Sequence, residues 1–230
     1  MPGRDGLRRL EPVRSPSVTD QVFEALHRQI LSLDLAPGTK VSEIDVARAF
    51  EVSRQPVRDA FFRLSQLGFL EIRPQRATVI TRISETAVLR ARFVRTALEL
   101  ACLKAAIQTI SEPDIRELER LLADQEAAVA ADDRPGFHAL DDEFHRRMCE
   151  MAGQGHVWSL IRDQKAHMDR VRFLSLASSA QTAFADHVDL VDALRRKDAA
   201  GAEAILGTHL GRIAAVLQAI RGEHPEYFDD

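Results

Sequence analysis

Apolar residues in the first third of the chain recur at two different periods. Val22, Phe23, Leu26 and Ile30 follow helical spacing, and the pattern stops in "LAPGTKVSE", where the pair Pro37-Gly38 marks a turn. Ser42 followed by Asp45 resembles a capping box with Asp in place of Glu, which predicts a short helix with Ile44 and Ala47 turned inward. Ser53 is placed to cap a third helix a few residues later. Pro56 falls in its first turn, where a missing N–H costs little because those donors have no intrahelical partner. Val57, Ala60, Phe61 and Leu64 then form one apolar stripe, and Gly68 ends the helix. Phe69–Arg73 and Thr78–Arg82 switch to period two and read as short strands on either side of the tip "PQRA". Helix, tight turn, helix and wing together predict a winged helix-turn-helix.

Beyond residue 83 the period is helical throughout, with no strand run and no internal repeat. The predicted helices are Glu85–Thr109, Pro113–Ala131, Pro135–Met151, His156–Ala177, Thr182–Arg196 and Ala199–Arg221, cut by "SEPD", "DDRPG" and "AGQG". The expected fold class is therefore mainly α, a winged helix-turn-helix followed by an all-α bundle. The expected boundaries are a disordered lead at 1–14, a winged helix-turn-helix DNA-binding domain at 15–82 and an all-helical domain at 83–230.

Charge changes the picture by halves. Residues 1–80 carry 12 Lys and Arg against 10 Asp and Glu, while the remainder carries 19 against 25, so only the first part suits a polyanionic partner. No run of about 18 uncharged apolar residues is present, and the opening "MPGRDGLRRLEPVRS" has no apolar stretch after its basic residues. A cytoplasmic protein without a membrane partner is expected. Cys102 and Cys149 lack metal-type spacing and lie on predicted helices, which suits reduced, buried thiols.

Two groups of residues carry candidate chemistry. Arg54 and Arg58, with Gln55 beside them, project from the N-terminal part of the third helix away from its apolar stripe. A solvated charged face is the bland reading of such a pair. The second helix of a helix-turn-helix, however, enters the major groove at that end, where the arginine fork fits guanine O6 and N7 or clamps phosphate. In the bundle, a turn of about 100° per residue places Asp141 within the stripe Phe137, Leu140, Phe144 and Met148, with His145 at its flank. Asp142 and Glu143 point elsewhere on that geometry. His187 falls among Phe184, Val188, Val191 and Leu194, and His209 among Ile205, Ile213, Val216 and Ile220. Any one inward histidine is ordinarily a hydrogen-bonded core residue. One carboxylate and three imidazoles on three helices form a set, because a buried Asp is too costly unless paired or metal-bound, and Asp and His four apart share a helix face. His167 grazes an apolar face and is the rival ligand.

The run "LAPGTKVSEIDVARAFEVSRQPVRDAFFRLSQLGFLEIRP" resembles the DNA-binding domain of the GntR family of bacterial transcription regulators. The resemblance implies that Arg54, Gln55 and Arg58 contact operator bases and phosphates and that Arg76 at the wing tip reaches toward the minor groove. Phe62 stands where the family has a polar residue, and Ala77 replaces the wing glycine. The helical part resembles the FCD effector domain of the FadR subfamily, in its metal-carrying branch, through "LDDEFH", "DHVDLVDAL" and "ILGTHL". That likeness implies Asp141, His145, His187 and His209 as ligands of a divalent metal. It also implies that Arg95, in "RTALE", lines an effector pocket, with Gln154 in the place of a usual asparagine. Zinc, nickel and manganese all suit three neutral imidazoles with one carboxylate.

These features imply a homodimeric, metal-dependent regulator that reads a near-palindromic operator and responds to a small organic or sugar acid. The alternatives are a metal-sensing repressor with no organic effector and a metallohydrolase using the same four residues around an open water position.

Overall fold

The computed structural model describes residues 16–73 and 77–229. It divides into two compact units, one built from residues up to Arg28 with Lys40–Val79, the other from Gln29–Thr39 with Ile80 onward. Arg76 and the lead at 1–14 lie outside the described residues.

Helix α1 (Val18–Leu31) buries Val22, Phe23 and Leu26. The turn that follows places Gly38 at φ 84°, open to glycine without the steric cost other residues meet there. Strand β1 (Lys40–Val41) leads into α2 (Glu43–Ala49), whose N-cap Ser42 accepts from the amides of Ile44 and Asp45. Helix α3 (Arg54–Gln66) packs on α2 and buries Val57, Ala60, Phe61 and Leu64, the stripe expected from spacing. Ser53 occupies its N-cap position, but its side chain makes no cap bond. Strands β2 (Leu70–Glu71) and β3 (Thr78–Ile80) are shorter than period two suggested. They form a three-stranded sheet in the order β1-β3-β2, with Lys40 opposite Val79 and Val41 opposite Thr78. The two-residue β1 is too short to leave a period of its own.

The second unit is a bundle. Helices α4 (Glu85–Thr109), α5 (Glu112–Ala130) and α6 (Arg134–Met151) follow the expected boundaries closely. Helix α7 (Val157–Arg195) is a single helix of 39 residues where two were expected. Its middle, "SSAQT", holds polar and small residues but neither Gly nor Pro, and such residues cost only a few tenths of a kcal/mol each inside a helix. The last expected helix is instead two, α8 (Ala199–Gly211) and α9 (Ile213–Glu223). Gly207 and Gly211 weaken it, and at Arg212 the amide bonds back three residues to the His209 carbonyl at 3.3 Å. A short 3-10 turn, η1 (Pro225–Tyr227), closes the chain. One core gathers Leu103, Leu118, Leu121, Phe144, Met148, Leu190, Leu194 and Leu206 from α4 to α8. Among the described residues no helix is long and apolar enough to cross a membrane.

Candidate metal centre and ligand cavity

Helices α6, α7 and α8 bring Asp141, His145, His187 and His209 together, with one ligand atom of each lying within 4.8 Å of the others. The i, i+4 spacing turns Asp141 and His145 toward the same side of α6. His187 reaches in from α7 and His209 from α8. Among the described residues His167 is not part of the group, which removes the rival ligand.

The orientation of the rings is set by neighbours on other helices. Glu99 on α4 places Oε2 2.6 Å from His145 Nδ1. Gln125 on α5 places Oε1 2.9 Å from His187 Nδ1, and Asp186 on α7 places Oδ2 3.2 Å from His209 Nδ1. Gln125 also donates through Nε2 to the Leu140 carbonyl at 3.2 Å, so its oxygen is the atom left for His187. The hydrogen bonds to Gln125 and Asp186 put the proton on Nδ1 of His187 and His209, and their Nε2 atoms keep a lone pair for the centre of the cluster. His145 Nε2, His187 Nε2 and Asp141 Oδ1 are buried and make no hydrogen bond. Buried polar atoms without partners are rare, and three converging at one point ask for a cation.

The distances fit one. Two ligands each about 2.1 Å from a common ion are at most about 4.2 Å apart. Asp141 Oδ1 to His187 Nε2 is 3.8 Å and Asp141 Oδ2 to His145 Nε2 is 3.9 Å. No two of the four ligand atoms are more than 4.8 Å apart. Electrostatics agree with a cation. Burial pushes the Asp141 carboxyl up, but Arg172, His145 and His187 outweigh it and hold the group well below the ordinary carboxylate range. Burial, with the neighbouring His209, pushes the His187 ring well below its usual value. Burial pushes His209 down too, against the pull of Asp186. Two neutral imidazoles and an ionised carboxylate are ready ligands.

Beside the cluster lies a cavity of about 360 Å³, lined by Arg95, Asp141 and His209 together with Arg172, Ser175, Ser179, Thr182 and Arg212 and by an apolar wall that includes Met168, Ile213 and Val216. Arg95 is buried, donates from Nε to Glu99 at 2.6 Å, and leaves Nη2 without a partner. Arg172 donates to Asp141, and at 3.4 Å to Asp169. Gln154, by contrast, is not brought to the cavity. It sits exposed in the turn between α6 and α7, where its amide bonds to the Cys149 carbonyl and Gly153 takes φ 68° to end the helix. Asp142, expected to point away, half turns inward and meets the buried Lys165 at 2.9 Å. Cys102 and Cys149 are buried free thiols, and burial pushes both pKa values up.

Sequence reasoning missed Glu99, Gln125, Arg172 and Asp186. A signal existed for part of the network. Lys165, Asp169 and Arg172 follow at i, i+4 and i+7 among the buried Ile161, Met168 and Val171, so charge at inward spacing marked α7 as lining a polar site.

In the first unit, Arg54 and Arg58 lie exposed on α3 and share one partner, Glu43 of α2, at 3.4 and 3.5 Å. Gln55 donates to Asp59 at 2.8 Å. Exposed pairs of this kind are worth at most about 1 kcal/mol, so Glu43 holds the two arginines only weakly. Phe62 is 60 % exposed on the same helix.

Two family descriptions match the chain: the gntR family of bacterial regulatory proteins over residues 18–80 and the FCD domain over residues 91–212. The HTH-type transcriptional repressor RspR of Escherichia coli K12 is 35% identical over 215 residues, covering 93% of this chain and 94% of that one. The transcriptional regulator YdfH of Escherichia coli O6:H1 (strain CFT073) is also 35% identical, over 94% of this chain and 96% of its own. Among solved structures, E. coli McbR/YncC superposes with a TM-score of 0.76 at 21% identity, covering 90% of this chain and all of the other, a likeness of fold. Both families and the named relatives are regulators of transcription, which sets the hydrolytic reading aside.

Proposed function

The chain belongs to the gntR family of bacterial regulatory proteins, carries an FCD effector domain and is a transcriptional regulator, and from that premise we propose that its DNA affinity is set by a divalent metal and a small acid held in the bundle. The observation that carries this reading is the convergence of three buried, unbonded ligand atoms of Asp141, His145 and His187 beside a cavity whose wall includes Asp141 and Arg95, the latter with an unpartnered Nη2. A cationic guanidinium and a metal ion favour an anion. Ser175, Ser179 and Thr182, one face of α7 over nearly two turns, add hydroxyls that suit a hydroxylated acid of the sugar-acid type. The bound ion, of zinc, nickel or manganese type, supplies Lewis-acid attraction for a carboxylate oxygen. Asp141, His145, His187 and His209 hold the ion, and Arg95 with Arg172 orients the carboxylate from the side.

In this reading residues 15–82 form the DNA-binding head of a FadR-type regulator and 83–230 its effector and dimer body. Arg54, Gln55 and Arg58 read the operator and Arg76 serves the wing. A near-palindromic site needs two copies of α3 one helical turn of DNA apart, hence a homodimer, acting in the cytoplasm. We assign the second copy to α4, a reading supported by Phe93, which stands 74 % exposed between two hollows. One hollow is floored by Gly207 and Gly211, where an added Cβ would meet nothing within 4 Å.

The test is a thermal-shift screen of zinc-loaded protein against small organic and sugar acids, repeated on His187→Ala. A ligand that binds only the folded state raises the midpoint by mass action. Hits lost in His187→Ala support the reading. Purified protein that takes up no metal overturns it, and a response to metal alone points to a metal sensor.

A further inference from the structure

The short segment Thr81–Ile83, by which β3 runs into α4, is held from two sides. From one side Arg170 on α7, buried, donates Nη1 to the Thr81 carbonyl at 2.7 Å and Nη2 to the Arg82 carbonyl at 3.3 Å. From the other the tail of the chain adds a parallel bridge. The Ile83 amide donates to the Tyr227 carbonyl at 2.8 Å, the Asp229 amide donates to the Ile83 carbonyl at 3.1 Å, and Phe228 pairs with Ile83. Glu85, two residues further, is gripped by Gln218 and Arg221 of α9 at 2.8 and 2.6 Å. A guanidinium taken almost wholly out of water for two backbone carbonyls is an expensive way to fix a connecting segment.

The same parts reach the cavity. Arg170 and Arg172 are two residues apart, about 200° around the helix, so α7 turns one guanidinium to the segment and the other to the cavity. Helix α9 starts at the cavity wall with Ile213 and Val216 and ends in the tail that pairs with Ile83. One apolar cluster joins the two ends, since Met168, Ile213 and Val216 of the wall pack together with Ile83, Leu217, Ile220 and Phe228. Packed cores of this kind do not deform continuously, and a wall that shifts shifts its far neighbours.

Resting on the function proposed above, we propose that Arg170 and the tail Tyr227–Asp229 are positioning groups: they lock Thr81–Ile83 to the cavity wall, so that filling the metal site tightens the hold on the segment that carries the DNA-binding head. The experiment is hydrogen exchange read by mass spectrometry on the full chain, metal-free and with one equivalent of zinc. It compares wild type with Arg170→Lys, which keeps the charge but loses the two-pronged donation, and Phe228→Leu. Peptides spanning 80–86 report the segment, and one from α5 serves as internal reference. In wild type, zinc should slow exchange at 80–86 relative to the reference by a factor of about 5 to 150, the range of ordinary coupling between sites. Both variants should bind zinc with unchanged stoichiometry and lose most of that factor. Should Phe228→Leu fail to fold, Arg170→Lys carries the comparison alone. Zinc bound without any change at 80–86, or full slowing retained in the variants, overturns the inference while leaving the metal site standing. A wild type that binds no zinc overturns the metal site and this inference together.

Discussion

Replacing Gln125 by Met removes one hydrogen-bond relay without touching a charge or a ligand. Gln125 is fully buried and ties three helices, accepting from His187 Nδ1 at 2.9 Å while donating to the Leu140 carbonyl at 3.2 Å. Leu140 lies inside α6, so its carbonyl keeps its helical bond, and the main loss falls on His187. A buried N–H left unpaired costs about 1–3 kcal/mol, which for a chain of this size lowers the midpoint of the metal-free protein by about 2–4 °C per kcal/mol. The ring is also released to take the other tautomer, which points a proton at the metal. Loss of such a supporting partner lowers metal affinity by about 10- to 100-fold, or about 1.4–2.7 kcal/mol. Gln125→Glu separates the two effects: it still accepts from His187, so zinc affinity should stay at or above the wild-type value, while the uncompensated buried carboxylate lowers metal-free stability. The assay is competition for zinc against a chromogenic chelator, alongside thermal melts after chelation. Zinc affinity of Gln125→Met within twofold of wild type would refute the assignment of the Nδ1 proton and with it the argued orientation of His187.

Other outcomes follow from the same geometry. Arg58→Ala should weaken operator binding by about 1–3 kcal/mol in a gel-shift titration and leave metal content unchanged, and equal affinity removes α3 as the reading helix. In metal-free protein, burial holds His187 and His209 below their ordinary value of 6.5, so under that pH the unfolded chain takes up protons that the folded chain refuses. Stability is then complete above pH 6.5 and falls with acidification by up to about 1.4 kcal/mol per pH unit for each ring, and denaturant melts that are flat between pH 6.5 and 5.5 contradict this. Chelation should lower the midpoint of the loaded protein, and restored zinc at about 100 times its Kd should return about 2.7 kcal/mol. Phe93→Glu should shift the mass in light scattering from dimer to monomer with folding and zinc uptake intact, and an unchanged mass places the dimer contact elsewhere.

Much of the molecule is written in short-range pattern. The stripe Val57, Ala60, Phe61 and Leu64, the cap Ser42, and the i, i+4 pair Asp141 and His145 are set within a turn or two of the chain, because capping and helical period act over three or four residues. The four ligand candidates were visible for the same reason, each being a polar residue in an apolar stripe. Where a helix continues or breaks was not visible. "SSAQT" carries no strong stop, and α7 runs through it, whereas the break at Arg212 goes with a side chain that bonds Asp186 of another helix at 2.7 Å. The tertiary structure alone decided which atoms meet. Glu99, Gln125 and Asp186 are ordinary polar residues in the sequence and become ring-orienting partners only because α4, α5, α7 and α8 converge there. Gln154 failed to reach the cavity because the turn that ends α6 fixes its backbone and leaves the side chain in solvent. The period of a helix says which face is inward, but which residue stands opposite depends on how helices far apart in sequence are packed, and that information lies in the fold.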